Sequence, residues 1–127
     1  MPALHDAIPI ARRGLSFRPP RTARPRPPRI VVLGDLVLDV VLRPQRPLEP
    51  ATDVPGLVLF RQGGSAANVA RWTVRLGARS TLVTAVGRDA IGRRLVAALE
   101  AAGVAVRAHR APGARTGRIG IVVDPGG

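Results

Sequence analysis

The stretch RIVVLGDLVLDVVL, residues 29–42, opens on four consecutive aliphatic residues, Ile30-Val31-Val32-Leu33, stopped by Gly34. An unbroken apolar run of this length, closed by a turn residue, predicts a strand buried on both faces, as in a parallel sheet. Leu36 to Leu42 then resumes in extended character, with Asp35 in the break and Asp39 within the second run. The fold therefore begins near residue 29.

Downstream, residues 43–56 (RPQRPLEPATDVPG) hold four prolines and predict an irregular excursion, followed by a short strand over Leu57 to Phe60. Gly63-Gly64-Ser65 reads as a glycine turn with Ser65 as N-cap of a helix that runs through Leu76 and stops at Gly77. Val69, Trp72, Thr73 and Leu76 share one face of that helix; Asn68, Arg71 and Arg75 share another. Ser80 to Val86 predicts a strand. Asp89 is placed to cap a second helix whose buried stripe is Ile91, Leu95, Ala98, Leu99 and Ala102, ending at Gly103. Val104 to Ala108 and Ile119 to Val123 complete the pattern as two strands separated by a Pro-Gly loop.

Alternating strands and helices imply right-handed crossovers and a parallel sheet covered by helices, an α/β class. The strand at Leu57 to Phe60 and the closing pair, with no helix between them, depart from the alternation and predict a small separate sheet.

Ahead of this domain, residues 1–28 carry six Arg against the single acid Asp6, and five prolines lie between Pro19 and Pro28. Such a segment predicts a disordered or polyproline tail. Its Arg richness resembles an organelle-targeting signal, but the prolines break the amphipathic helix such a signal needs, which favours an inert extension.

All 20 basic residues of the chain are Arg, and the formal charge is +12. That charge suggests a nucleic-acid partner; three aromatic residues, Phe17, Phe60 and Trp72, supply too few stacking platforms and argue against one. The absence of cysteine excludes disulfides, zinc-thiolate sites and cysteine nucleophiles, with a cytoplasmic enzyme as the default. No apolar run is long enough to span a bilayer. His5 and His109 have no metal-ligand spacing.

In open α/β sheets ligands lie beyond the carboxyl ends of the strands. Two segments converge there: Gly34-Asp35-Leu36-Val37-Leu38-Asp39, and Gly63-Gly64-Ser65-Ala66-Ala67-Asn68. Glycines let the backbone approach a ligand, and free amides of a first helical turn can donate to it. Asn68 can donate and accept while a carboxylate such as Asp39 accepts from two hydroxyls, a combination suited to a polyhydroxylated ligand. On spacing alone a tight turn at Gly63-Gly64 and a solvated loop acid at Asp39 account for the same residues equally well. With no Lys there is no GxxxxGK[ST] loop; GxGxxG, HExxH and GxSxG are also missing.

Five segments in register carry a resemblance: IVVLGD with Asp39, GGSAANVA at Gly63 to Ala70, RLGA at Arg75 to Ala78, VGRDAIG at Val86 to Gly92, and Thr116-Gly117 before a strand. Together they resemble the N-terminal half of the ribokinase (PfkB) carbohydrate kinases, over residues 29–127. The resemblance implies a ribokinase-like parallel sheet flanked by helices and carrying a small β lid, here incomplete. Leu57 to Phe60, Val104 to Ala108 and Ile119 to Val123 would be lid strands, with Thr116 and Gly117 where the lid meets the site. It further implies that Asp39, Gly63, Gly64 and Asn68 bind the sugar, and that Gly87, Asp89 and Gly92 hold the turn into the second helix, where Asp89 reads most simply as an N-cap.

Position 65 is Ser where ribokinase and the phosphofructokinase branch usually carry Lys, and Val37 replaces a polar residue that ribokinase offers its substrate. A plain sugar, a sugar acid or a nucleoside is therefore the expected ligand class. Family members carry a later DTxGAGD-type segment with the catalytic base, along with the adenine pocket and the acidic motif for magnesium. The expectation is thus an ATP- and Mg2+-dependent sugar kinase present as its substrate-binding half, with no catalytic residue before Gly127 and no activity alone. The rival expectation is a non-catalytic sugar-binding module or one that forms a homodimer through the lid. An incomplete parallel sheet also predicts an exposed edge and aggregation.

Overall fold

The computed structural model describes residues 26–124. In chain order its elements are β1 (Arg29–Leu33), β2 (Val37–Pro44), β3 (Gly56–Gly63), α1 (Ser65–Arg75), β4 (Arg79–Gly87), α2 (Ala90–Ala101), β5 (Ala105–Ala111) and β6 (Arg118–Val122). They form two three-stranded sheets, a parallel one ordered β1-β4-β5 and a mixed one ordered β3-β2-β6. Most of the expected 1–28 tail lies outside the described residues, as do Pro125 to Gly127. Of the tail's last residues, the Pro28 carbonyl accepts from the Arg79 amide at 2.8 Å, fixing the entry into β1.

The α/β class holds, and the central sheet is built in chain order. Each parallel step, β1 to β4 and β4 to β5, uses one helix as its crossover, and strands added in one direction place both helices on the same face. That face is the core: Leu82 and Val86 of β4 pack with Leu95, Val96 and Leu99 of α2, Val104 after it, and the alanines of α1.

Helix α1 buries Ala66, Ala67, Ala70 and Thr73, while Val69, Trp72 and Leu76 of the expected apolar face are exposed. Small residues win because they let the helix axis approach the sheet: a Cβ added at Gly34 would lie 2.7 Å from that of Ala66. Trp72 remains outside, with the Arg75 guanidinium 5.0 Å from its ring centroid. In α2 the buried residues are Gly92, Leu95, Val96 and Leu99. Ile91 is half-buried, and Ala98 and Ala102 are exposed, so the stripe lies one position round from the expected one.

The run Ile30–Leu33 is a parallel-sheet strand, but its burial on both faces is not observed. Val31 and Leu33 are 68% and 79% exposed. On β4, Ser80, Leu82, Thr84 and Val86 are buried while Thr81, Val83 and Ala85 are not, so among the described residues helices cover one face of the sheet only.

The second sheet corrects the lid. The residues Val104 to Ala108 do not belong to it: β5 pairs in parallel with β4, from Thr81↔Ala105 to Gly87↔Ala111. A strand entered from a crossover helix is delivered to the parallel sheet, and that outweighs the missing helix after it. The lid is built on β2 instead. β3, longer than the expected Leu57 to Phe60, pairs antiparallel to β2 from Val37↔Gly63 to Pro44↔Gly56, and β6 pairs parallel from Leu38↔Arg118 to Leu42↔Val122. The proline-rich excursion closes on itself where the Gln45 amide donates to the Pro55 carbonyl at 2.9 Å. Buried Leu36 fills the junction of the two sheets. No helix among the described residues is long and apolar enough to cross a membrane.

Candidate functional site

Both connections between β1, the lid and α1 meet at the carboxyl end of the parallel sheet. Gly34 to Leu36 lead from β1 into β2, and Gly64 leads from β3 into α1. Asp39, Gly63, Gly64 and the first turn of α1 are thereby gathered at one place, where the sequence reading expected them.

Asp39 lies on β2 with Arg61 of β3 as its cross-strand neighbour and Ile119 of β6 on its other side. Its carboxylate leans over Gly63, since any Cβ there would fall on the Asp39 carboxyl group. The aspartate is set against bare backbone. Gly64 has φ 103°, a conformation that side-chain-bearing residues rarely adopt, and a Cβ on it would strike the Asp35 carbonyl. The chain can thus turn from strand to helix at this radius only through glycine. Asn68 is exposed on the first turn of α1, its amide bonded to the Gly64 carbonyl at 3.0 Å.

The N-terminus of α1 is capped from another segment. Gly64 occupies the cap position and makes no side-chain bond; Ser65, expected as N-cap, is the first helical residue. Its hydroxyl donates to Asp35 Oδ1 at 3.3 Å, and the Ala66 amide donates to the same oxygen at 3.3 Å. Asp35 therefore takes a donor that the sequence reading left free for a ligand. The Ala66 amide holds the Asp35 carboxyl below the usual carboxylate range; slight desolvation opposes this and the Ser65 hydroxyl reinforces it.

Asp89 does cap α2, accepting from the Gly92 amide at 2.8 Å. It also accepts from Thr116, through the hydroxyl at 2.7 Å and the amide at 2.9 Å, while Thr116 Oγ1 accepts from the Gly87 amide at 3.1 Å. The Gly92 amide first, then the two Thr116 donors and the more distant charge of Arg118, hold the Asp89 carboxyl far below its ordinary value. Gly87, Asp89, Gly92 and Thr116 form one hydrogen-bonded unit tying the end of β4 to the approach into β6. The sequence placed Thr116-Gly117 near the lid junction but gave no sign of this partner, 27 residues earlier. Gly117 accompanies it, its carbonyl accepting from the Leu38 amide at 2.9 Å.

Of the three carboxylates at this end of the sheet, Asp35 and Asp89 are committed to holding helix starts. Among the described residues no group of three or more His, Asp or Glu is placed to hold a metal ion. The described residues thus offer no ready-made acidic cluster for magnesium. Asp39, the Gly63-Gly64 backbone and the first turn of α1 thus stand together at the carboxyl end of the parallel sheet.

Residues 27–127 match the pfkB family carbohydrate kinase profile. The chain is 40% identical over 95 residues to the bifunctional protein HldE of Halorhodospira halophila, which covers 69% of this chain and 19% of that protein. It is 41% identical over 59 residues to a pseudouridine kinase of Arabidopsis thaliana, covering 46% of this chain and 16% of the relative. Among solved structures it resembles a carbohydrate kinase from Agrobacterium tumefaciens, with TM-score 0.69 and 26% identity over 79% of this chain and 33% of that one. A fructokinase with bound ATP from Xylella fastidiosa matches with TM-score 0.63 and 26% identity, over 77% of this chain and 30% of that one. The chain thus spans about a third of the length of these structures and a fifth or less of the two curated relatives. With a family profile matched along four-fifths of its length and a fold shared with solved carbohydrate kinases, the chain belongs to the pfkB family of carbohydrate kinases.

Proposed function

We propose that these residues form the substrate-gripping part of an ATP- and Mg2+-dependent kinase that phosphorylates a hydroxyl group of a sugar or nucleoside. The observation that carries this reading is the seating of the Asp39 carboxylate, on the lid strand β2, against Gly63 beside the start of α1. A carboxylate held there can accept from two adjacent hydroxyls while Asn68 offers a donor and an acceptor. Asp39, Gly63, Gly64 and Asn68 are thus the substrate residues of this proposal; the catalytic base, the adenine pocket and the magnesium ligands belong to polypeptide outside residues 26–124. On this reading the chain alone binds substrate and transfers no phosphate, and works as a soluble cytoplasmic protein. Supporting it, Asp35 and Asp89, which stand nearby, are both consumed by amide donors.

The test is an NMR titration of the chain against a panel of sugars and nucleosides, alongside an ADP-release assay with ATP and magnesium. Shifts at Asp39, Gly63, Gly64 and Asn68 that vanish in Asp39→Asn, with no ADP formed, are expected. ADP formation by the 127-residue chain, or a titration that moves none of these residues, would overturn the proposal.

A second reading, a homodimer formed through the lid, draws on one observation. Val58, Leu42 and Val122 form a row across all three lid strands, with Phe60 in the next row; all four are exposed. Light scattering that reports a dimer for the wild type and a monomer for Phe60→Asp supports it; a monomeric wild type removes it.

A further inference from the structure

We propose that Arg61 is a specificity-determining residue that selects a sugar bearing an oxyanion, a carboxylate or a phosphate ester, at the end remote from α1. This rests on the reading of Asp39 as a substrate residue. Arg61 is the direct cross-strand neighbour of Asp39, so the two side chains leave the same face of the lid. They are not an ion pair. Among the described residues the ion pairs are Arg46 with Glu49 and Arg118 with Asp89.

The geometry explains why: Asp39 leans diagonally over Gly63, toward the junction with α1, and so away from Arg61, one pleat further out. A ligand whose hydroxyls engage Asp39 extends outward beneath an exposed guanidinium. That group is a forked donor suited to carboxylate or phosphate. Further out, the same face carries Val41, Leu59 and Ile121, and the next cation is Arg43, opposite Leu57.

The inner end of the site points the same way. Position 65 is Ser, and its hydroxyl and the Ala66 amide both serve the Asp35 carboxylate. A second anion beside that carboxylate meets like charge, with one helix-terminal donor already taken. An anionic group on the ligand is therefore accommodated at the Arg61 end and rejected at the α1 end.

The experiment is calorimetric titration of the full chain with three matched probes: glucose, glucuronate, and glucose phosphorylated on the same terminal carbon. Wild type should bind at least one anionic probe about tenfold or more tighter than glucose. Arg61→Gln should remove that preference, bringing the anionic probes to the level of glucose. Arg43→Gln, which lowers the net charge equally on the same face, should leave the preference intact and so exclude general attraction to a basic protein. Preference for both anionic probes assigns an oxyanion in general, and preference for one assigns the carboxylate or the phosphate. Equal binding of all three, or a preference that survives Arg61→Gln, overturns the role of Arg61 and leaves the substrate site standing. Binding that is indifferent to Asp39→Asn overturns the site as well.

Discussion

The hydroxyl and the main-chain amide of Thr116 both donate to the Asp89 carboxylate, at 2.7 Å and 2.9 Å, joining the approach to the lid strand β6 to the first turn of α2. Thr116 is only 3% exposed, and its oxygen in turn satisfies the Gly87 amide. Thr116→Val keeps the volume but orphans that amide and removes one carboxylate donor. The cost should be about 1 to 3 kcal/mol, read by urea denaturation, with Thr116→Ser recovering part of it. A valine variant as stable as wild type would remove Thr116 from the framework.

The same unit makes stability depend on acid. Asp89 and Asp35 are both held below their unfolded values, so each adds stability at every pH above the ordinary aspartate value of about 3.9. That contribution is lost as pH falls below this value toward the depressed native one. Denaturation midpoints should therefore fall steeply between about pH 4 and pH 2. Asp89→Asn should be less stable at neutral pH and show a flatter acid slope, the remainder being due to Asp35. Parallel slopes for the two proteins would contradict this assignment.

Gly63 and Gly64 should respond differently to alanine. At Gly64 the added Cβ meets backbone, the Asp35 carbonyl, and φ is 103°, so Gly64→Ala should destabilise by about 1 to 3 kcal/mol. At Gly63 it meets the end of a side chain, which can swing away; the fold should survive while Asp39 is displaced and ligand shifts disappear. Gly120→Ala, where nothing lies within 4 Å, is the neutral control, expected within about 0.5 kcal/mol of wild type.

The open side of the central sheet should govern solution behaviour. Leu33→Lys changes a residue that is 79% exposed, so it should leave stability within about 0.5 kcal/mol of wild type and raise the monomer fraction in light scattering. Leu82→Ala, on the covered side of the same sheet, should cost about 2 to 5 kcal/mol. Loss of stability in the lysine variant would show that this face is covered in solution.

The sequence is most readable where a local rule is obeyed within a few residues. Asp89 before a helix, Gly77 and Gly103 after helices, and the aliphatic run at Ile30 each have the predicted local structure. Asp39, Gly63 and Gly64 are brought together by the rule that ligands gather at strand ends. Features that depend on partners distant in the chain are the ones that escape. Hydrophobic periodicity assigns Val69, Trp72 and Leu76 inward, but close helix-to-sheet approach selects the alanines, which carry little periodic signal. The cap of α1 comes from Asp35, 31 residues upstream of the amide it binds. Val104 to Ala108 reads as a lid strand because no helix separates it from β6, yet the helix before it decides its place. The double-sided burial expected of Ile30 to Leu33 reflects a second covering layer that residues 26–124 do not supply.

Three crossings join the lid to the rest of the protein: Gly34 to Leu36, Gly64, and the approach through Thr116 and Gly117. They lie together at one end of the lid strands and so define a pivot. If the lid swings, Asp39 and Gly63, next to that pivot, travel little, while Leu57 and Val58 at the far end sweep the widest arc. A lid turning about that pivot would leave Asp39 and Gly63 in place. On the proposed role of Asp39, a ligand is gripped by its hydroxyls first and roofed over afterwards, which would make recognition and enclosure separable events in time.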